Sequence, residues 1–434
     1  MGKGLEKKCL KALTILSMLI FVVSCGGGGS GSNGGGSVSS ATVSGTVLDS
    51  NGDPVSGALV TITSTPVTTN TDSNGDFTAL VEVGDHTITV TSGNSTVYQG
   101  NFSASDTAPI NLGDLAPSIP FVAMSNADVN GTYLIGNILV ETQSRTMALE
   151  SSFDGSGNTT WTLIADSQGG TGSESNSYTV AADGTFSIDS QEPGNSITGQ
   201  LSADGELGCY VDADILNGIN FGFAVKRSTG MTNADFTGTY IMSQIVFNPD
   251  PVSNLIQITA DGAGNFGYQQ LPVGDSGSGT YSVADDGTVT IIGEADTHGQ
   301  LSYNGGVFLF VDTSSDYPHI AVGIQQSSGM SNIDFSGIYQ IVAVFYENND
   351  IDTVVTGRGN IISDGLSNVD YTFFELSEGT ASTGDGNISI SSDGTCTSSG
   401  GMVGQLSSNG GLFAFPDADE VSDLHLFLVG IRKP

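Results

Sequence analysis

The stretch TNADFTGTY, Thr232–Tyr240, occurs in three similar versions along this chain of 434 residues. The other two are SNADVNGTY, which starts at Ser125, and SNIDFSGIY, which starts at Ser331. A second motif, Gly-Gln-Leu-Ser, follows each version and starts at positions 199, 299 and 404. The spacings are 107 and 99 residues between the Gly-x-Tyr glycines and 100 and 105 between the second motifs. Because the two motifs recur in the same order and with nearly the same spacing, the sequence predicts three repeats, 125–228, 232–326 and 331–434.

Each repeat has the pattern of eight short strands. In the middle repeat the strand-like runs are GTYIMSQIVF, LIQITA, FGYQQL, GTYSVA, TVTII, HGQLS, VFLFVD and HIAVGIQ. Three of the connections contain Asp-Gly or Asn-Gly, the strongest short signal for a β-hairpin. Eight antiparallel strands in hairpin order predict a small up-and-down barrel. A β-propeller with four strands in each blade, or another sandwich, stays open as an alternative.

The opening motif has a predicted structural role in each repeat. We expect its aspartates to cap the turn that enters the first strand and its glycines to permit a bend or bulge. The tyrosines should then point into the repeat. The Gly-x-Tyr sequence is loosely similar to the Gly-x-Trp start of lipocalin- and avidin-like barrels. An ion shared by the aspartates is the functional alternative. The residues concerned are Asp128, Gly131, Tyr133, Asp235, Gly238, Tyr240, Asp334, Gly337 and Tyr339.

Residues 41–115 contain a different, smaller module. Its markers are SGTV at 44–47, GDPV at 52–55, GALV at 57–60, and then Asp72, Gly75 and Phe77. In order and spacing they resemble the carboxypeptidase regulatory-like family. That resemblance implies a seven-stranded, transthyretin-like β-sandwich without catalytic activity. Asp72, Asn74 and Asp76 are candidate calcium ligands, but the loop lacks the bidentate Glu and the length of a calcium loop, so a plain turn is the favoured interpretation.

Composition favours an all-β protein and limits its partners. The chain has 61 Gly and only 13% charged residues, and its Asp+Glu outnumber Lys+Arg by 46 to 10. Many turn-forming residues and few helix formers are typical of β architecture. The negative charge would repel a phosphate backbone, so we expect no nucleic-acid binding.

The N-terminus resembles a bacterial lipoprotein signal. Four lysines precede an apolar run from Ala12 to Val23, which is too short to span a bilayer comfortably, and the sequence Val22-Val23-Ser24-Cys25 follows. The resemblance implies cleavage before Cys25 and lipidation of its thiol. Residues 26–40, GGGGSGSNGGGSVSS, have the composition of a flexible tether with a reach of roughly 20 Å. Gly26 is not the Asp that marks inner-membrane retention in enterobacteria, so the resemblance favours the outer membrane or cell surface.

The sequence offers no catalytic constellation. It has no His-Glu-x-x-His pair and no Gly-x-Ser-x-Gly motif, and none of its four histidines recurs in all three repeats. The predicted function is therefore that of a non-catalytic, lipid-anchored cell-envelope protein whose rod of repeats acts in binding, adhesion or scaffolding. A carbohydrate-binding or small apolar ligand-binding lipoprotein is the alternative. We predict no cofactor; the expected partners are the membrane, through Cys25, and an unidentified envelope protein, glycan or small ligand.

Overall fold

The computed structural model describes most of the chain after the tether. The described residues are 40–48, 54–63, 67–92, 95–104, 109–115, 123–140, 145–189, 196–214, 218–247, 251–272, 274–347, 355–376, 380–416 and 424–434. They form two compact units, one containing the N-terminal module and the other containing the repeats. The predicted signal, Cys25 and the tether lie outside the described residues.

The N-terminal unit is a small sandwich of two sheets. Its strands are β1 Ser40–Val47, β2 Leu59–Thr63, β3 Val67–Asn70, β4 Asp76–Glu82, β5 Gly84–Ser92, β6 Ser95–Ala104 and β7 Ile110–Leu115. One sheet has the order β4-β1-β7 and the other β3-β2-β5-β6. In β4, buried Phe77, Ala79 and Val81 alternate with exposed residues, because one face of the sheet covers the core while the other contacts solvent.

The repeats form three closed barrels of eight antiparallel strands each. Barrel 1 contains β8 Asn130–Val140, β9 Arg145–Asp154, β10 Asn158–Asp166, β11 Ser173–Val180, β12 Thr185–Asp189, β13 Ser196–Leu201, β14 Leu207–Asp214 and β15 Gly218–Lys226. Barrel 2 contains β16 Thr237–Phe247, β17 Pro251–Asp261, β18 Asn265–Leu271, β19 Ser276–Val283, β20 Thr288–Ile291, β21 Thr297–Leu301, β22 Val307–Asp312 and β23 His319–Gln325. Barrel 3 contains β24 Ser336–Glu347, β25 Val355–Asp364, β26 Asn368–Glu375, β27 Thr380–Ile390, β28 Thr395–Ser398, β29 Val403–Leu406, β30 Leu412–Pro416 and β31 Leu424–Arg432. The barrel prediction is confirmed, and the propeller alternative is wrong because consecutive strands close each repeat on itself.

Short glycine turns define one end of each barrel, which we call the turn end. In barrel 2 they contain Gly262, Gly287 and Gly305, each with a φ between 70° and 81°, a region that side chains with a Cβ rarely adopt. The three 3₁₀ helices, Asn126–Val129, Asn233–Asp235 and Asn332–Phe335, lie at the same end, because each one leads directly into the first strand of its barrel. The opposite end, where the first strand of each barrel passes to the second, is the loop end.

A core outside the barrels joins them into one unit. It combines residues from the outer faces of all three barrels, among them Phe223, Leu309 and Val429. The six residues of β22 and the five of β30 are therefore all buried, since one face fills the barrel and the other fills the shared core. The strands on the far side, such as β10, have buried positions only on the inner face.

The barrels contact one another in a ring, and the expected rod of repeats is wrong. The seventh strand of each barrel packs against the first and last strands of its neighbour. Thus β22 contacts β8 and β15, β30 contacts β16 and β23, and β14 contacts β24 and β31. The rings of Phe221 in barrel 1 and Phe427 in barrel 3 meet edge to face, with centroids 5.5 Å apart. The same contact between a seventh strand and the neighbouring first and last strands therefore occurs three times, and its third occurrence joins barrel 3 to barrel 1. The ring of barrels has an approximate threefold symmetry.

Candidate functional site

The opening motif is a capped turn in each barrel. The Asp235 carboxylate accepts hydrogen bonds from the Thr232 backbone N–H at 2.8 Å and from the Thr232 hydroxyl at 3.0 Å. Asp128 makes the same bonds with Ser125, and Asp334 makes them with Ser331. These are capping-box contacts that secure the chain as it enters the barrel. Each aspartate thus bonds within its own motif, and this geometry supports the structural interpretation of the motif.

The three motif tyrosines are buried in the barrel interiors. The Tyr240 hydroxyl donates to the carbonyl of Gly305 across the barrel at 2.7 Å. Tyr133 and Tyr339 donate in the same way to Gly205 at 2.6 Å and to Gly410 at 2.7 Å. Burial raises the pKa of all three phenols. Each tyrosine therefore ties the first strand to the hairpin between the sixth and seventh strands.

A second set of contacts ties the end of one barrel to the next. The Arg227 guanidinium, after β15, is 2.9 Å from a carboxylate oxygen of Asp286 in barrel 2. Gln326, after β23, donates to Asp393 at 3.0 Å. Lys433, at the end of the chain, donates to Asp183 of barrel 1 at 3.1 Å. The three aspartates occupy equivalent turns between the fourth and fifth strands, so Lys433 closes the ring.

A shallow depression opens where three equivalent hairpins meet at the turn end. Ser202, Ser302 and Ser407 belong to its wall, while Leu207, Val307 and Leu412 provide its buried apolar surface. Each serine hydroxyl already has hydrogen-bond partners within its own hairpin. The Ser202 hydroxyl, for instance, donates to Asp204 at 2.6 Å and accepts from the Leu207 N–H at 2.9 Å. The cavity volume is about 40 Å³, which is room for a few waters and far less than the roughly 300–1,000 Å³ of a small-molecule pocket.

The rim of this depression differs among the repeats. Barrel 1 contributes Asp204 and Glu206, where the other barrels have Asn and Gly, and barrel 2 contributes Tyr303, whose side chain is exposed. Burial raises the pKa of Glu206; Lys226, at 3.2 Å, opposes the rise, and Asp204 adds to it. The depression is a mildly acidic contact surface.

The barrel interiors are filled mainly by large apolar side chains. In barrel 2, Phe236 packs against Tyr240, Tyr281 and Phe308 with ring centroids 5.0–5.3 Å apart. In barrel 1, a cavity of about 30 Å³ lies beside Tyr133. A space of this size does not fit the alternative of a carrier for small apolar molecules.

The loop with the candidate calcium ligands is a hydrogen-bonded turn. The Asp72 carboxylate accepts the N–H groups of Asn74 at 2.8 Å and Asp76 at 3.0 Å, while Asp76 accepts the Thr46 hydroxyl at 2.6 Å. Throughout the described ranges, no group of three or more His, Cys, Asp or Glu side chains is arranged to hold a metal ion. The described residues also include no helix that is long and apolar enough to cross a membrane.

The remaining reactive side chains have structural surroundings. Cys209 lies in the core between the barrels and Cys396 inside barrel 3; both thiols are free and buried. Burial raises the pKa of Cys209 to about 12, so this thiol is neutral and unreactive at ordinary pH. The ring nitrogens of His86 lie 3.0 Å from the Thr63 carbonyl and 2.7 Å from the Glu82 carbonyl, so the buried ring lies between two backbone groups of the N-terminal sandwich.

Comparison with protein families confirms the N-terminal module. Residues 42–114 match the model of the carboxypeptidase regulatory-like domain. The comparison with curated proteins gave no match.

Solved structures show only a remote likeness over most of the chain. The transferrin binding protein B of Neisseria meningitidis serogroup B is 9% identical, with 81% of this chain and 84% of that chain covered and a TM-score of 0.26. A double mutant of the transferrin binding protein B of Haemophilus parasuis Hp5 is also 9% identical, with 81% and 82% covered and a TM-score of 0.26. A Nostoc punctiforme protein of unknown function from the DUF3598 family is 8% identical, with 71% and 98% covered and a TM-score of 0.18. Such low scores carry no functional argument, and transferrin binding stays a property of the proteins that bear that name.

The contacts between barrels are the feature that the strand pattern did not reveal. Their signal is present in the unbroken apolar runs VFLFVD of β22 and LFAFP of β30, which lack the alternation of a half-exposed strand. Because such runs also fit any strand buried on both faces, they identify the buried strands without identifying which strands meet.

Proposed function

We propose that this chain is a non-catalytic protein of the cell envelope, anchored by a lipid on Cys25, whose three-barrel body acts in binding, adhesion or scaffolding. One structural observation supports the body's role more than any other: each barrel fills its own interior, and the outer faces share a further core. A body of this kind offers its partners a rigid outer surface in place of a deep reaction chamber. The acidic composition favours basic or neutral partner surfaces.

The anchor is supported by the sequence around Cys25 and by the spacer that follows it. A Gly/Ser-rich segment of this length would hold the folded units away from the membrane while leaving them free to meet a partner. The outer membrane or cell surface is the proposed location. Multiple acyl chains on one cysteine would make attachment effectively stable, since each buried methylene contributes about 0.8 kcal/mol.

The anchor is tested by comparing the full chain with Cys25→Ser in a bacterial host. We expect metabolic labelling by palmitate and partition into the detergent phase for the original chain and neither for the variant. Cys9→Ser is the matched control, because that cysteine lies within the predicted signal and should leave labelling unchanged. A Cys25→Ser chain that still takes up label and stays with membranes would contradict the proposal.

The binding role is tested on the same cells. Bacteria that carry the anchored chain should adhere to glycan-coated or protein-coated surfaces more than bacteria that carry Cys25→Ser, since the variant body folds but is not retained. Equal adherence of the two strains on every surface would count against a role in adhesion or binding.

A further inference from the structure

Barrel 2 exposes large apolar and aromatic side chains mainly at its loop end. Ile292 follows β20, Tyr317 lies between β22 and β23, Val252 is the second residue of β17, and Tyr268 pairs with the second residue of β19. These four side chains are between 38% and 62% exposed, and we call them the loop-end patch. Among the described residues of barrel 2, only Tyr303 is a comparably exposed side chain at the turn end. Exposed apolar side chains grouped at one end of a domain are typical of an interaction surface.

The loop-end patch extends from the mouth of the barrel onto its loops. Val252 is six residues before Ile258 of the interior cluster, and Tyr268 pairs with Ile258, so all three lie on inward faces. Opposite Tyr268 is Gly277, where an added Cβ would be only 2.7 Å from the Tyr268 ring. The missing side chain leaves room for the ring to lie across β19, where a partner can reach it.

Hydrogen bonds hold the two loops of the patch against each other. The N–H and the hydroxyl of Thr313, after β22, both donate to the carbonyl of Asp296, before β21, at 2.9 and 3.1 Å. Beside them the Thr297 hydroxyl donates to the Asp312 carboxylate at 2.8 Å. Since these loops are already fixed to each other, a partner that binds them has little loop-ordering entropy to overcome.

The patch is surrounded by negative charge. Residues 232–326 contain ten Asp or Glu and no Lys or Arg. The carboxylates exposed at the loop end belong to Asp275, Glu294, Asp296 and Asp316. The two histidines of barrel 2 do not offset them at neutral pH, because burial lowers the pKa of both imidazoles.

The neighbouring barrel does not reverse this charge. Thr146 of barrel 1 donates to the carbonyl of Asp312 at 2.5 Å, which brings Arg145 close to this end of barrel 2. The Arg145 guanidinium is 3.1 Å from the buried carboxylate of Asp166, so the two charges balance. An apolar surface with an acidic border is complementary to a surface that is apolar and basic.

We propose that the loop end of barrel 2 binds a basic, amphipathic segment of a partner protein, whose apolar side chains cover the loop-end patch and whose lysines or arginines face the surrounding carboxylates. The exposed ring of Tyr317 can also receive a cation on its face. Nucleic acid, an anionic lipid surface and a second copy of this chain would all be repelled by the same charges. The inference rests on the binding role proposed above, for which it names a partner, and it does not require the anchor.

The test measures the binding of labelled peptides to the full-length protein in a non-ionic detergent, with empty micelles as the blank. The probe is a short fluorescein-labelled peptide of lysine, leucine and glycine, and its fluorescence anisotropy reports binding. Two control peptides replace every lysine by glutamate or every leucine by serine. We expect saturable binding of the lysine–leucine probe alone, and weaker binding at higher salt concentration because exposed charges are screened.

Variants decide whether the loop-end patch is the site. Tyr317→Ser and Ile292→Ser should each weaken probe binding about tenfold, since each removes apolar surface that the probe would bury. Glu294→Lys should also weaken binding and reduce its salt dependence. All three positions are exposed, so the melting temperature should stay unchanged. The matched controls are Tyr303→Ser at the turn end and Asp385→Lys on exposed β27 of barrel 3, and both should bind the probe like the original chain.

Equal binding of the three peptides would overturn the proposal, as would unchanged affinity in Tyr317→Ser and Ile292→Ser. A loss in Asp385→Lys equal to that in Glu294→Lys would mean that the probe responds only to the overall charge of the chain, which also contradicts a site on barrel 2. A dimer in sedimentation that Tyr317→Ser abolishes would assign the patch to a second copy instead. Failure here is distinguishable from failure of the proposed function: cells that adhere through the anchored chain while the purified protein ignores the probe would keep the binding role and remove this patch as its site.

Discussion

A single methyl group at Gly136 tests whether the barrels form one cooperative ring. Gly136 lies on the outer face of β8, directly against barrel 2. A Cβ built there would be 2.5 Å from Val311 Cγ2, 2.8 Å from Ile320 Cδ1 and 3.1 Å from Leu309 Cδ1. Carbon atoms in contact are normally about 3.5–4.0 Å apart, so β8 or the facing strands would have to move by about 1 Å.

We expect Gly136→Ala to lower the free energy of unfolding by about 1–3 kcal/mol, the usual effect of overpacking a filled core. The matched control is Gly267→Ala on β18, where the nearest atom to the added Cβ is the Gly277 carbonyl oxygen at 3.7 Å. There the smaller backbone entropy of Ala in the unfolded chain should leave stability equal or slightly higher.

The assay is urea unfolding of both variants, followed by circular dichroism and by the fluorescence of Trp161, the single Trp of the chain, which packs against the interior of barrel 1. Because Gly136 is in barrel 1 and its contacts are in barrel 2, a destabilised Gly136→Ala protein shows that the two barrels support each other. Equal stability of the two variants would refute the ring of packed barrels and would favour independent barrels along a rod.

Three further measurements test the local geometry. Tyr240→Phe should cost about 1–3 kcal/mol of unfolding free energy because it leaves a buried carbonyl without its donor, whereas Tyr268→Phe at an exposed position should be neutral, and equal effects would contradict the inward hydroxyl bond. Side-chain and backbone hydrogen bonds hold the pKa of Asp261 at about 2, below its ordinary value of 3.8. The ionised carboxylate therefore stabilises the fold above about pH 4, and this stabilisation is lost as the pH falls through 2. In Asp261→Asn the urea midpoint of unfolding should change less with pH across that interval. Cys209 and Cys396 should react with a thiol reagent at pH 8 only at the rate of unfolding, since burial raises both thiol pKa values, and fast reaction of the folded protein would show that these sites are open.

Local chemistry made much of the fold predictable. The Asp-Gly and Asn-Gly turns fix hairpins because they need a positive φ, and the runs between them gave all eight strands of barrel 2 with ends within a few residues of those observed. The order of SGTV, GDPV and GALV similarly identified the carboxypeptidase regulatory-like module. Such features depend on residues that are neighbours in the chain, so the sequence contains their full physical cause.

Whether a polar side chain inside a barrel finds a hydrogen-bond partner was not predictable in this way. Asn137, Gln244 and Ala343 occupy equivalent positions, and nothing in their immediate sequence shows that Gln244 finds a partner while Asn137 Oδ1 finds none among the described residues. The difference arises from strands β15 and β17, whose side chains reach the same level only after the barrels close. Whether a buried polar atom has a hydrogen-bond partner therefore depends on the whole assembled interior of the barrel.

The sequence by itself determined that this protein has three repeats of eight strands behind a small sandwich, because turn chemistry and periodicity act over a few residues. Only the tertiary structure decided that the repeats close into a ring. That arrangement depends on the fit between outer faces, such as β22 against Gly136, and on Lys433 reaching Asp183 some 250 positions earlier in the chain. Contacts of this kind depend on shape, and the same apolar runs would satisfy several pairings until the three barrels are packed together.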